Sequence, residues 1–234
     1  PQRDWQGQRM LVSAGPTQEP IDPVRFISNR SSGKMGYAIA EAAQVRGAQV
    51  VLVTGPTALP APRGVEIISV ATAEEMLKAL SARLAWSTTV IMAAGVADFR
   101  PTHPASQKIK KQGRTGQTLD LERTTDILAS LSAQRTTQLM VGFAAETNDL
   151  IAHAKDKLKA KGLDLIVAND VTIEGAGFCS DQNAAVLIDR QGGMTELPLM
   201  PKRALADAIL NRAHTLLHTR QSSQAPKPAN MGRG

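Results

Sequence analysis

The sequence predicts an α/β fold, a doubly wound, Rossmann-like, mainly parallel sheet with helices on both faces. Three observations predict it. Short apolar runs alternate with segments of helical period along most of the chain. Those runs are almost continuously apolar, as strands covered on both faces must be. The stretch that reads as a β-hairpin, around Gly192-Gly193, comes only after the alternation has ended.

Taken in order, "RMLVSAG" (9–15) is the first buried strand, and a helix over 33–46 follows, stopped by Gly47. Strands are expected over 48–56 and 65–70. Thr72 caps a helix over 72–85, and Glu75 three residues on completes a capping box. Residues 88–98 form a buried strand running into a turn of small residues. A helix from Asp126 to Ala133, a strand over 138–146, a helix over 148–162 and a strand over 163–170 complete the alternation. An insertion (about 99–125) and the hairpin region (about 171–200) interrupt the pattern, and a last helix runs from Lys202 to about His218. The domain is thus expected over 9–218, with an N-terminal extension or linker (1–8) and a disordered basic tail (219–234) rich in Ser, Pro, Gly and Gln.

Composition excludes several classes. The 234 residues are 42% hydrophobic and 21% charged, ordinary for a globular chain. The net charge of +6 looks like a nucleic-acid signal, but half of it is Arg220, Lys227 and Arg233 in the tail. Aromatics are 3%, too few for base-stacking platforms, so no nucleic-acid partner is expected. One cysteine, Cys179, excludes an internal disulfide and a Cys-only metal site; it reads as a free loop thiol. The histidines lack HExxH spacing, and His214/His218 sit at i,i+4 near a helix end. No apolar run reaches the roughly 18 residues of a membrane span, and no signal peptide is present, so no membrane association is expected and the cytoplasm is the expected location.

In such sheets ligands bind beyond the carboxyl ends of the strands. Here those ends read Ala14-Gly15-Pro16, Thr54-Gly55-Pro56, Ala93-Ala94-Gly95, Phe143-Ala144-Ala145-Glu146 and Asn169-Asp170, small enough to admit a ligand close to the backbone. The first connection, Gly15 to Ser31, is about seventeen residues against a usual two to six. It is neither a G-x-G-x-x-G turn nor a Walker A loop. It delivers "SSGKMG" to a helix N-terminus, where free N–H groups, the hydroxyls of Ser31 and Ser32, Gly33 and Lys34 can cradle a phosphate. The ordinary structural reading is a Ser N-cap and a solvated lysine. Further cations follow: Arg25 in the loop, Lys108 and Lys110 alternating about Ile109 as in an edge strand, and Lys157 and Lys161 at i,i+4. Together they point to a polyphosphate. No nucleophile–base pair is visible, which fits phosphoryl or nucleotidyl transfer by positioning and charge neutralisation. Asp98 is suited to a sugar hydroxyl, a metal or a turn cap.

The motifs "SAGPTQEPIDPVRFISNRSSGKMGYAIAEAA", "AAGVADFRP", "QKIKKQG", "VGFAAETND" and "GLDLIVANDV" closely resemble those of bacterial phosphopantothenate–cysteine ligase (phosphopantothenoylcysteine synthetase), in chain order from about Arg9 to Leu217. That family is commonly the C-terminal half of a bifunctional coenzyme A biosynthesis protein whose N-terminal half is a flavin-dependent decarboxylase binding FMN, and the start at Pro1 fits that half separated from its partner. The resemblance implies CTP, 4′-phosphopantothenate and L-cysteine as substrates, Mg²⁺ with the triphosphate, and a homodimer in which the hairpin region takes part. The carboxylate attacks the α-phosphate of CTP to give an acyl-cytidylate, and the cysteine amine then displaces CMP. Residue by residue, the resemblance gives Asn29, Arg25 and Lys108 catalytic roles, with Lys108 also a CTP ligand. Met92, Ala93, Ala94, Asp98, Thr125, Asp126, Ile127, Leu128, Phe143, Lys157 and Lys161 become nucleotide contacts; the metal ligands stay unknown. Ser31, Ser32 and Gly33 are assigned to phosphate on the physical argument above. The chain departs from the family at Gly95, at Thr124-Thr125 and in the "GFCSDQN" loop. An inactive nucleotide-binding regulatory domain is the alternative, opposed by the intact Arg25, Asn29 and Lys108. An NAD(P) oxidoreductase is opposed by the missing glycine fingerprint and the missing Tyr-x-x-x-Lys pair.

Overall fold

Eight strands form the central sheet, in the order β12-β11-β10-β9-β6-β1-β4-β5. The computed structural model describes residues 3–111, 116–146, 149–170 and 180–224. The parallel part comprises β1 (Arg9–Ala14), β4 (Gln49–Thr54), β5 (Glu66–Ser69), β6 (Thr89–Met92), β9 (Leu139–Glu146) and β10 (Leu165–Asp170). The hairpin of β11 (Gln182–Asp189) and β12 (Met194–Pro201) adds two antiparallel strands to one edge, turning at Gly192 with φ 90°. The chain first builds outward from β1 to β4 and β5, then returns to place β6 on the other side of β1. That reversal opens a crevice above the ends of β1 and β6, where doubly wound sheets bind ligands.

Alternate residues of the strands feed two cores. On one face Met10, Val12 and Ala14 of β1 meet α1 (Lys34–Val45) and α5 (Lys202–Gln224). On the other, Leu11 meets α2 (Ala73–Leu84), α3 (Ile127–Gln134) and α4 (Leu150–Ala160). Fully buried Ile39, Leu80 and Leu131 are representative, each worth about 1.5–3 kcal/mol of transfer free energy. Gly36 lets α1 lie directly on β1, because a Cβ there would stand 2.6 Å from that of Ala14. The capping box of α2 forms as its sequence predicts. Thr72 Oγ1 accepts from the Glu75 N–H at 3.2 Å, and Glu75 Oε2 accepts from the N–H groups of Ala71 and Thr72.

The structure departs from the sequence reading in four places. Residues 3–8 are not a linker: Trp5 is fully buried against the edge of His214, and Arg46 pairs with Asp4. The last helix runs on to Gln224, into the segment read as disordered, because Arg220 reaches back to the buried carboxylate of Asp164. The long first connection carries its own small ribbon, β2 (Gln18–Pro20) with β3 (Phe26–Ser28), and the insertion is pinned at its base by β7 (Phe99–Pro101) with β8 (Leu121–Arg123). The Lys108–Lys110 stretch is irregular rather than a strand, since its backbone is held by side chains and not by a ladder. Cys179 and the first residues of the "GFCSDQN" loop lie outside the described residues.

Candidate functional site

The crevice is lined by backbone before it is lined by side chains. Past the ends of β1 and β6, Ala93 N–H donates to Ser13 O (3.2 Å), Ala94 N–H to Ser13 Oγ (3.2 Å) and Gly95 N–H to Gly15 O (2.8 Å). Thr17 knits the long loop to the same turn by accepting from Ala97 N–H at 2.9 Å, while Ser28 Oγ donates to Thr17 O at 2.7 Å. Asn29, next along, donates from Nδ2 to Val96 O at 2.8 Å. One of its two amide hydrogens is therefore committed to holding it over the 93–98 turn.

At the front of α1 the Lys34 N–H reaches Ser32 Oγ at 3.5 Å. Its N-cap is Gly33, left-handed at φ 78°, with no side-chain capping hydrogen bond. Neither Ser31 nor Ser32 serves as N-cap, so the ordinary reading of that motif does not apply. A Cβ at Gly33 would lie 2.8 Å from Thr57 Cγ2 and 3.3 Å from Gly15 Cα. Only glycine allows both the turn and that approach. The positive end of the helix dipole lies behind this turn. Lys34 Nζ donates to Asp181 Oδ1 at 2.7 Å, and this ammonium holds the exposed Asp181 carboxyl below its ordinary value.

Two adjacent cavities share one wall. The outer, about 570 Å³, is bounded by Met92, the Thr125–Leu128 segment (Thr125, Asp126, Ile127, Leu128) and Lys161. The inner, about 290 Å³, is bounded by Asn29, Ser31, Ser32, Gly33, Lys34 and Ala93. Ala94, Val96, Asp98, Phe143 and Lys157 border both. The largest cavity, about 680 Å³, runs along the outside of α1 past Tyr37 and Pro60. It meets the inner cavity at Lys34 and Lys202, but the rest of its lining comes from α1 and residues 59–63 and not from the strand ends, so the two smaller ones are the candidate site. Asp126 caps α3 through Ala129 N–H (2.8 Å) and pairs with Lys161. Burial works against its ionisation, but Lys161, the Ala129 N–H and Lys157 together keep its carboxyl below the ordinary value.

Arg25 and Lys108 line neither cavity. Arg25 instead meets Ile109, the residue after Lys108. Arg25 donates from Nε to Asp22 Oδ2 at 3.0 Å and from Nη2 to Ile109 O at 2.9 Å, and Ile109 N–H donates to the same Asp22 Oδ2 at 3.0 Å. Arg25, with the N–H groups of Ile109, Val24 and Arg25 itself, holds the Asp22 carboxyl far below its ordinary value against the cost of burial.

Sequence reasoning missed Asn169, Asn183 and Lys202 on the inner cavity and Arg123 on the outer one. Asn169 was visible as a strand end, and its Oδ1 is buried with no hydrogen-bond partner among the described residues. Asn183 and Lys202 come from β11 and the start of α5, with no local motif. Among the departures, Thr124 Oγ1 donates to Ala97 O at 2.6 Å and fixes the segment that sets Thr125 on the outer cavity. Among the described residues no group of three or more His, Cys, Asp or Glu could hold a metal, and no helix is long and apolar enough to cross a membrane.

The family model described as the DNA/pantothenate metabolism flavoprotein C-terminal domain matches residues 5–217. The chain is 47% identical over 212 residues to the coenzyme A biosynthesis bifunctional protein CoaBC of Bacillus subtilis (strain 168), covering 90% of this chain and 52% of that protein. Against the protein of the same name from Escherichia coli (strain K12) it is 44% identical over 218 residues, covering 92% and 53%. It therefore spans about half the length of these relatives. The crystal structure of the C-terminal domain of a CoaBC protein matches with a TM-score of 0.80 at 41% identity, over 93% of this chain and 99% of that one. The DNA/pantothenate metabolism flavoprotein from Streptococcus pneumoniae shares the fold at 24% identity, with a TM-score of 0.75 over 89% and 99%. With the family model matched over residues 5–217 and the identity to these relatives, the chain belongs to the DNA/pantothenate metabolism flavoprotein C-terminal domain family.

Proposed function

We propose that this chain is the ligase that joins 4′-phosphopantothenate to L-cysteine at the expense of CTP in coenzyme A biosynthesis. The observation that carries the reading is the shared wall: a nucleotide-sized outer cavity and an inner one bordered by the α1 N-terminus meet at Ala94, Asp98 and Phe143. The names of the B. subtilis and E. coli relatives support it.

In this reading the inner cavity takes 4′-phosphopantothenate, with its phosphate on the α1 N-terminus, Ser31 and Ser32. Its amide groups face Asn169, whose acceptor lacks a partner among the described residues. The outer cavity takes CTP, with Phe143 beside the base and Lys157 offsetting phosphate charge where the cavities meet. The pantothenate carboxylate oxygen attacks the α-phosphorus and the bond to the bridging oxygen breaks, so pyrophosphate leaves. The cysteine amine then attacks the acyl carbon, loses a proton, and CMP departs with the electron pair of the broken C–O bond. Asn29, with one amide hydrogen anchored at Val96, can turn the other toward the oxygen that gains charge. Mg²⁺ fits as a companion of the triphosphate, because magnesium needs few protein carboxylates when phosphates bind it, and Asp98 borders both cavities. When bound it would offset charge on the phosphates.

A homodimer is part of the proposal. Val24, Phe26, Phe99, Leu119 and Leu121 are exposed on and beside the two small ribbons, and Met194 and Leu199 on the hairpin, apolar area that a second copy would cover. The half-length match supports a fused flavin-dependent decarboxylase, which would hold the FMN; the cytoplasm is the proposed location. The test is pyrophosphate release with 4′-phosphopantothenate, Mg²⁺ and CTP or ATP, with and without L-cysteine. CTP-dependent release, with the amide product only when cysteine is present, is expected. No release with either nucleotide from folded dimer would sink the reading in favour of an inactive binding domain.

A further inference from the structure

The two oxygens of Asp22 do different work. Oδ1 accepts the N–H groups of Val24 (2.9 Å) and Arg25 (2.8 Å), closing the turn that leads into β3 and on to Asn29. Oδ2 accepts Arg25 Nε and, from far along the chain, the N–H of Ile109, both at 3.0 Å. Arg25 Nη2 completes the ring through the Ile109 carbonyl. The Asp22 side chain is wholly inaccessible, while that of Arg25 is 47% exposed. A carboxylate buried this way must be satisfied by fixed donors, and here those donors belong to two segments that are also tied by a backbone bond, Ala105 N–H to Ile21 O at 2.8 Å, four residues before Ile109. Lys108 is exposed and adjoins the clasped residue.

We propose that Asp22 is a positioning residue: its Oδ2 ties the Lys108 segment to the turn carrying Arg25 and Asn29, so that the three side chains share one rigid frame. The inference rests on the ligase reading and names what aligns its cations. No reacting atom need touch Asp22. Without the clasp, Lys108 would hang on a segment that lacks ladder hydrogen bonds, and the cost would fall on the alignment of CTP.

Asp22→Asn tests this cleanly, because the amide oxygen can keep the Oδ1 contacts while its NH₂ meets three donors where Oδ2 stood, Arg25 Nε, Arg25 Nη2 and the Ile109 N–H. Ile109→Pro removes the same amide donor and leaves Asp22 and Arg25 intact. For both variants kcat and KM for CTP are measured in the native and the Lys108→Gln backgrounds. Amide exchange at Ile109 is followed in Asp22→Asn. Expected is a loss in kcat/KM of about tenfold or more in the native background and under about threefold when Lys108 is already gone. Exchange at Ile109 should speed up by at least about tenfold. Equal losses in both backgrounds, or none, would overturn the proposal, since a general loss of stability is additive. If the native protein released no pyrophosphate with either nucleotide, the ligase reading and this role would fall together. Faster exchange at Ile109 would then still establish the clasp as structure.

Discussion

A Cβ placed on Gly95 would stand 2.6 Å from the Cβ of Ser31. The helix-entry motif and the turn after β6, some sixty residues apart, are therefore in van der Waals contact across the crevice floor.

Gly95→Ala follows directly. The added methyl pushes Ser31 away from the inner cavity, and the neighbouring 94–98 wall can give by only a few tenths of an ångström. The expected result is a KM for 4′-phosphopantothenate raised about tenfold, roughly the 1–3 kcal/mol of overpacking, with the KM for CTP little changed. An unchanged KM for both substrates would show that Ser31 does not hold the phosphate.

Asn29→Asp replaces the donor to Val96 O with an acceptor, so the side chain loses its anchor and its second amide hydrogen together. CTP-dependent pyrophosphate release should persist within about threefold, while amide formation falls by about a hundredfold or more. Equal loss of both half-reactions would refute the assignment of Asn29 to the second step.

Asp164 is 1% exposed and pairs with Arg135, Arg190 and Arg220, while also accepting Met140 N–H at 2.8 Å. It fastens the end of α3, the β11–β12 turn and the last turns of α5 to the base of β10. Asp164→Asn removes the charge those three guanidiniums share, which should cost about 3–5 kcal/mol. Thermal or urea unfolding reads this out; a loss under about 1 kcal/mol would mean the arginines are satisfied elsewhere.

Acid should unfold the protein through its clasped carboxylates. Asp22, held down by Arg25 and three backbone N–H groups, and Asp4, held down by Arg46, both lie below the ordinary 3.8. A depressed pKa contributes stability that is complete above the unfolded value and is lost as pH falls toward the folded one. From these groups Tm should be flat between about pH 5 and 7 and drop steeply below about pH 4. Asp22→Asn, less stable at neutral pH, should fall less between pH 4 and 3; a parallel fall would remove Asp22 from the account.

Most of the parallel sheet was legible because continuous apolar runs such as "MLVSA" and "DLIVAN" admit few other structures, and Thr72 with Glu75 signed the start of α2 outright. Ala94, Val96, Asp98 and Phe143, which border the outer cavity, were legible as members of the quoted motifs. What escaped were pairings between distant segments. Trp5 looked like linker because a lone tryptophan has no period, and its burial depends on His214 at the far end of the chain. Asn183 and Lys202 reach the inner cavity only because the hairpin and α5 fold back beside β10. Lys108 and Lys110 alternate as an edge strand would, yet the donors and acceptors of Ile109 are spoken for by Asp22 and Arg25.

The wall common to the two cavities bears on leakage. An acyl-cytidylate assembled across Ala94, Asp98 and Phe143 would occupy both compartments at once. Cysteine can then reach the activated carbon without the intermediate migrating. A mixed anhydride of that kind hydrolyses readily when it escapes into water. Retention between steps would thus keep CTP use in strict proportion to product, even when cysteine is scarce and the enzyme must wait.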